Sequence, residues 1–96
     1  MARVTRSDHA QQDLEDILDY LDSQRTEAAG RFAVKLEETC DVHPTHPQIG
    51  AKAEEYAPTL RHFTVWNYAI FYRPVDGGIE LIRILHDTRD LPKFFG

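Results

Sequence analysis

Arg61, His62, Arg83 and His86, all in the last forty percent of the chain, are the residues best suited to chemistry. A metal-free ribonuclease must activate a 2′-hydroxyl, stabilise a crowded phosphate and protonate the leaving oxygen. Arg61 and Arg83 carry the planar guanidinium that meets two phosphate oxygens at once. The imidazole of His62 or His86 titrates near neutral pH and suits the acid–base steps. A second group, Cys40-x-x-His43-x-x-His46, offers thiolate and imidazole at gaps that suit zinc. Pro44 and Pro47 interrupt its geometry, a fourth ligand is not evident, and Cys40 fits an apolar helical stripe. A core cysteine is therefore expected, with no metal and no other cofactor. No phosphate-cradling glycine loop or Ser-His-Asp arrangement in a recognisable context is present.

The chain that must position these groups has 96 residues and a mass of 11.1 kDa, which predicts one small domain over 1–96. Its composition, 42% apolar and 28% charged, is that of a globular protein. The formal charge of −5 lacks the basic footprint of a general nucleic-acid binder, so direct sequence-specific nucleic-acid binding is not expected. That charge is uneven: residues 1–55 hold twelve acids and six bases, and residues 56–96 four acids and five bases. Apolar runs are too short to span a bilayer, the N-terminus lacks a signal-peptide stretch, and one cysteine excludes an internal disulfide. A soluble, cytoplasmic protein with no membrane partner is the expectation.

Hydrophobic period divides the chain into helices followed by sheet. Arg3-Val4-Thr5-Arg6 is a short strand candidate, and Ser7 offers an N-cap oxygen with Asp8 in the first turn. Ala10, Leu14, Ile17, Leu18 and Leu21 then recur at helical spacing, predicting an amphipathic helix over about 8–23. Thr26 is a candidate cap for a second helix with the stripe Ala29, Phe32, Ala33, Leu36 and Cys40, ending by His43 because Pro44 follows. The short link makes the two an antiparallel hairpin. Residues 44–59, with three prolines and Gly50, read as a loop. Leu60–Trp66, Tyr68–Arg73 and Ile79–His86 have strand composition. The predicted class is α+β, a helical hairpin on a small, mainly antiparallel sheet.

Asp76-Gly77 signals a type I′ hairpin. With those two residues as the turn, Arg73 faces Glu80, Phe71 faces Ile82 and Ala69 faces Ile84, while Tyr72 faces Leu81 and Ile70 faces Arg83. The charge-matched Arg73–Glu80 pair favours this register. Arg83 then lies among Ile70, Leu81 and Leu85 and needs a carboxylate, a carbonyl or a partner's acid. Both faces of the hairpin are largely apolar, yet two helices cover one face. A partner chain is expected to cover the second, the alternatives being that helix and loop wrap both or that the surface aromatics are incidental.

The order strand, helical hairpin, Pro/Gly loop and three antiparallel strands resembles the RelE/ParE superfamily of toxins from bacterial type II toxin–antitoxin modules. The match is carried by Ala10-x-x-Asp13-Leu14-x-x-Ile17-x-x-Tyr20, Ala29-x-x-Phe32, Pro47-x-x-Gly50, Leu60-Arg61-x-Phe63, Tyr68-x-Ile70-x-Tyr72-Arg73 and Ile84-Leu85-His86-x-x-Arg89-Asp90. The last of these looks more like the ParE branch, often labelled plasmid stabilisation proteins. The pair after His86, often Gly-Ala in the family, is Asp87-Thr88 here.

The resemblance implies a toxin neutralised by a ParD-like antitoxin in a hetero-oligomer. ParE-type toxins are associated with inhibition of DNA gyrase, and RelE-type toxins with cleavage of mRNA on the ribosome. RelE-like nucleases commonly place a reactive Tyr or His near the C-terminus, whereas this chain ends Leu91-Pro92-Lys93-Phe94-Phe95-Gly96. A protein-binding toxin with no catalytic residues is therefore expected ahead of a nuclease, with a degenerate non-toxic member as a third class. By resemblance, Arg61, Arg83, His86, Arg89 and Asp90 are expected at the target contact. Leu18, Tyr20, Trp66 and Tyr72 are expected at the antitoxin contact, as large side chains along the helix and sheet.

Overall fold

A computed structural model describes residues 3–42 and 45–86. Its elements run β1 (Arg3–Arg6), α1 (Asp8–Gln24), α2 (Ala28–Val42), β2 (Ala51–Lys52), β3 (Arg61–Val65), β4 (Tyr68–Val75) and β5 (Gly78–His86). The five strands form one sheet in the order β1-β5-β4-β3-β2. Only the β1–β5 pair is parallel. The class is α+β, as expected. Arg89 and Asp90, and His43 of the cysteine–histidine group, lie outside the described residues.

Ser7 starts α1 as its spacing predicts, accepting the Ala10 N–H on its hydroxyl at 3.0 Å. Ala10, Leu14 and Ile17 of α1 and Phe32, Leu36 and Cys40 of α2 meet Tyr68, Ile70, Tyr72, Ile79, Leu81 and Ile84 of the sheet in the principal core. The start of α2 differs from the expected Thr26 cap. The Ala28 N–H bonds back to the Arg25 carbonyl at 3.2 Å, so Thr26 lies in a tight turn and the helix opens at Ala28.

The stretch expected to be loop contains β2, which pairs Ala51 with His62 and Lys52 with Arg61. Its two residues carry no strand signal of their own, and the pairing follows from a lock described below. After β2 the chain turns over the far face of the sheet, closed by the Ala53 N–H on the Leu60 carbonyl at 2.9 Å. Ala53, Tyr56, Ala57 and Leu60 thereby pack on Ala69, Phe71 and Leu85, and Tyr56 meets the Phe71 ring edge-on at 5.7 Å. The apolar character of both hairpin faces is thus met inside the chain by residues 53–60. It does not by itself require a partner.

The β4–β5 register agrees with expectation from Val75–Gly78 through Tyr72–Leu81. It then slips by one residue, so that Phe71 faces Arg83 and Ile70 faces Ile84. A bulge at Ile82 takes up the extra residue. The turn also departs from type I′, which needs positive φ at both central residues. Only Gly77 has it, at 81°.

Candidate functional site

The bulge brings the site together. β1 ends at Arg6 opposite Leu81, so β5 beyond that point has no strand on its outer side. The beginning of α1 takes its place. The Ser7 N–H donates to the Leu81 carbonyl at 2.9 Å, and its hydroxyl donates to the Ile82 carbonyl at 2.8 Å. Nearly two helical turns on, Asp13 accepts the Ile84 N–H at 2.9 Å. The same carboxylate receives Arg83 through Nε at 2.8 Å and Nη2 at 3.0 Å, a bidentate pair. Both side chains are largely buried, at 16% and 14% exposure. The carboxylate that the Arg83 register demands is therefore an internal one.

Beyond this pair a cleft of about 670 Å³ opens where the second half of α1 meets the end of β5 and the β3–β4 turn. Asp16 and Tyr20 line one wall and Asn67 and His86 the other. Asn67 Nδ2 and His86 Nε2 are 2.7 Å apart, and the His86 ring stands edge-on to Tyr68 at 5.4 Å. Trp66, next to Asn67 in the two-residue turn, is held at φ 55°, a value that favours glycine. Its indole meets the Phe32 ring edge-on at 5.3 Å and is still 47% exposed. Tyr20 is 57% exposed.

The expected site residues therefore separate. Tyr20, Arg83 and His86 line this cleft, whereas Trp66 lines a separate surface groove with Gly30, Arg31 and Val34 of α2. Leu18 packs against the principal core. Tyr72 is fully buried, which removes it from any surface contact and corrects its expected place at the antitoxin interface. Its hydroxyl donates to the Pro47 carbonyl at 2.8 Å and accepts the Gly50 N–H at 3.0 Å. Burial holds the Tyr72 phenol above its ordinary pKa, against the lowering effect of the Gly50 bond and of Arg61. Arg61 belongs to the same lock, donating from Nη1 to the Gln48 and Gly50 carbonyls at 3.0 and 2.7 Å. His62 stacks on Phe71 with ring centroids 5.6 Å apart, and its buried Nδ1 has no hydrogen-bond partner among the described residues. Arg61 and Arg83 thus bind different parts of the chain rather than one shared phosphate site.

Cys40 is buried in the core, with its thiol pushed up to about 12, chiefly by burial and then by Asp41. The described residues contain no group of three or more His, Cys, Asp or Glu placed to hold a metal ion. The sequence reasoning missed Asp13, Asp16 and Asn67 as site residues. Asp13 left a usable signal, because an arginine in an apolar register calls for a carboxylate and Asp13 borders the buried stripe of α1.

Residues 4–91 match the family model of the ParE toxin of the type II toxin–antitoxin system parDE. The chain belongs to the ParE toxin family. It is 30% identical over 91 residues to Toxin ParE1 of Caulobacter vibrioides, covering 94% of each chain. It is 34% identical over 90 residues to Toxin RelE2 of the same organism, covering 93% of this chain and 99% of the relative. Among solved structures, the chromosomal ParDE TA system from P. aeruginosa superposes with a TM-score of 0.73 at 21% identity, over 90% of this chain and 96% of that one. ParE membership makes the chain a type II toxin and gives the Asp13–Arg83 cleft its setting. No helix among the described residues is long and apolar enough to cross a membrane.

Proposed function

We propose that this ParE-family toxin acts in the cytoplasm by binding a protein target, DNA gyrase as the family resemblance implies, and is held inactive by a ParD-like antitoxin. The observation that carries the choice of protein binding over RNA cleavage is the occupation of both candidate phosphate-clamping arginines. Arg61 is bound to two carbonyls of the 48–50 loop and Arg83 bidentately to Asp13. A phosphate clamped through the Nε and Nη2 edge of Arg83 would have to displace the Asp13 carboxylate, while Arg61 is pinned to its loop through Nη1 and faces a different part of the chain. Tyr20 and Trp66 instead present large amphipathic side chains to solvent, as protein-binding anchors do. We assign those two residues to antitoxin contact, and the adjoining His86 edge of the cleft to the target.

Inducing the chain alone and following DNA supercoiling and transcript integrity together tests the assignment. Loss of supercoiling with intact transcripts is the expected result. Transcript cleavage with normal supercoiling would establish the nuclease reading instead, and unimpaired growth would mark a module member that has lost its toxicity.

A further inference from the structure

The cleft beside Asp13 and Arg83 carries a charge that this pair does not cancel. Asp13 is committed to the Arg83 guanidinium and the Ile84 N–H, so those two charges neutralise each other. Asp16, further along α1, lines the same cavity and makes no ion pair among the described residues. Its Oδ1 accepts the side-chain amide of Gln12 at 3.0 Å, an exposed contact that leaves Oδ2 open. Tyr20 follows at i+4 on the same side of the helix, with its ring more than half exposed. On the opposite wall Asn67 holds its Nδ2 2.7 Å from His86 Nε2. With its nitrogen engaged there, the carboxamide has its oxygen left as an acceptor. The last turn of α1 contains no basic residue, so nothing within the helix offsets the negative end of its dipole.

We infer that this cleft receives the side chain of an arginine presented by the protein target. The Asp16 carboxylate accepts charge-assisted N–H donors from the guanidinium edge, the Tyr20 ring takes its flat face, and the Asn67 oxygen accepts a further N–H. A lysine ammonium suits the site less, having no plane to lay on the ring. An anion is disfavoured, because it meets Asp16 and the end of α1 while the Arg83 guanidinium is already bound to Asp13. The inference rests on the protein-target reading, for which it names the group the target must present. Because Tyr20 is also assigned to the antitoxin, the two occupants exclude each other.

The test has two arms, both on the intact chain. In the first, the chain is titrated with N-acetyl-arginine amide, a probe independent of the target's identity, and NMR shifts are followed residue by residue. Saturable shifts at Asp16, Tyr20, Asn67 and His86 are expected, and binding about tenfold weaker with N-acetyl-citrulline amide, which keeps the shape without the charge. Asp16 is exposed, so Asp16→Asn leaves the fold in place while weakening arginine binding by about tenfold. Asp19→Asn removes the same charge from α1 outside the cleft and leaves binding unchanged. Equal binding of citrulline, or no saturable shift in the cleft, overturns the inference. In the second arm, the parent chain and Asp16→Asn are compared as inhibitors of gyrase supercoiling, with inhibition about tenfold weaker in the variant as the expected result. If the parent chain inhibits and Asp16→Asn inhibits as strongly, the arginine inference falls and the target reading stands. If the parent chain leaves supercoiling untouched although the arginine probe binds, the gyrase assignment falls and the arginine site stands.

Discussion

Asp13 and Arg83 lie seventy residues apart in sequence and meet through two hydrogen bonds, at 2.8 and 3.0 Å, on a carboxylate that also holds the Ile84 N–H. The pair joins α1 to the irregular part of β5, and its removal is felt in three places at once. Asp13→Ala strands a mostly buried guanidinium and a backbone donor, and equilibrium urea unfolding should show a loss of about 3 kcal/mol. Replacing both partners with apolar residues, Asp13→Leu with Arg83→Met, should cost less than Asp13→Ala alone, because no buried charge is left over.

Tyr72 and Gly50 form the lock that holds the 47–50 loop to the sheet. A Cβ at Gly50 would lie 2.7 Å from the Tyr72 ring, so Gly50→Ala must displace either the loop or the tyrosine. Tyr72→Phe loses the bonds to Pro47 and from Gly50 and should cost about 1–3 kcal/mol. Both variants should speed proteolysis between residues 45 and 60, and limited digestion reads this directly.

Alkaline stability follows from two buried acids. The Cys40 thiol ionises at about 12 in the folded chain against 9.0 ordinarily, and the Tyr72 phenol is also raised. In each case the unfolded chain releases its proton first. Their stabilising contribution is complete below about pH 9 and is lost as pH rises toward 12. Thermal unfolding followed across that range should show Tm falling, with a shallower fall in Cys40→Ala measured against its own neutral value. At neutral pH the Cys40 thiol should react with a thiol reagent only as fast as the chain opens.

Trp66 is the only tryptophan, so fluorescence reports without a label on the groove it lines along α2. Antitoxin binding should shift its emission to shorter wavelength as the half-exposed indole leaves water. Trp66→Gly relieves the positive φ while removing the Phe32 contact, two opposed effects that should leave Tm within a few degrees. The same variant should weaken antitoxin binding by about tenfold or more.

Much of the fold was legible because its signals are local. The Ser7 cap, the 3.6-residue apolar period of α1 and the Arg73–Glu80 pair each act within a few residues or across one hairpin. The bulge at Ile82 was not legible, since it answers to Ser7 and Asp13 on a distant helix rather than to β4. The two-residue β2 escaped for a similar reason, being held by Arg61 and Tyr72 from across the sheet. Of the candidate site, the need of Arg83 for an acid was readable, but its satisfaction by Asp13 required the tertiary arrangement. Tyr72 read as a surface aromatic only because its buried hydroxyl partners, Pro47 and Gly50, sit in what looks like open loop.

The parallel pairing of β1 with β5 sets when, during synthesis, the cleft can assemble. β5 lies between the first strand and the rest of the sheet, and Ser7 finds its acceptors at Leu81 and Ile82. A nascent chain can form its helical hairpin early, but the sheet stays open until the last described strand has been made. During synthesis the cleft therefore lacks Arg83, Ile84 and His86 together. A chain that stops short of β5 cannot assemble this cleft, and its Asp13 carboxylate has neither the Arg83 guanidinium nor the Ile84 N–H to receive.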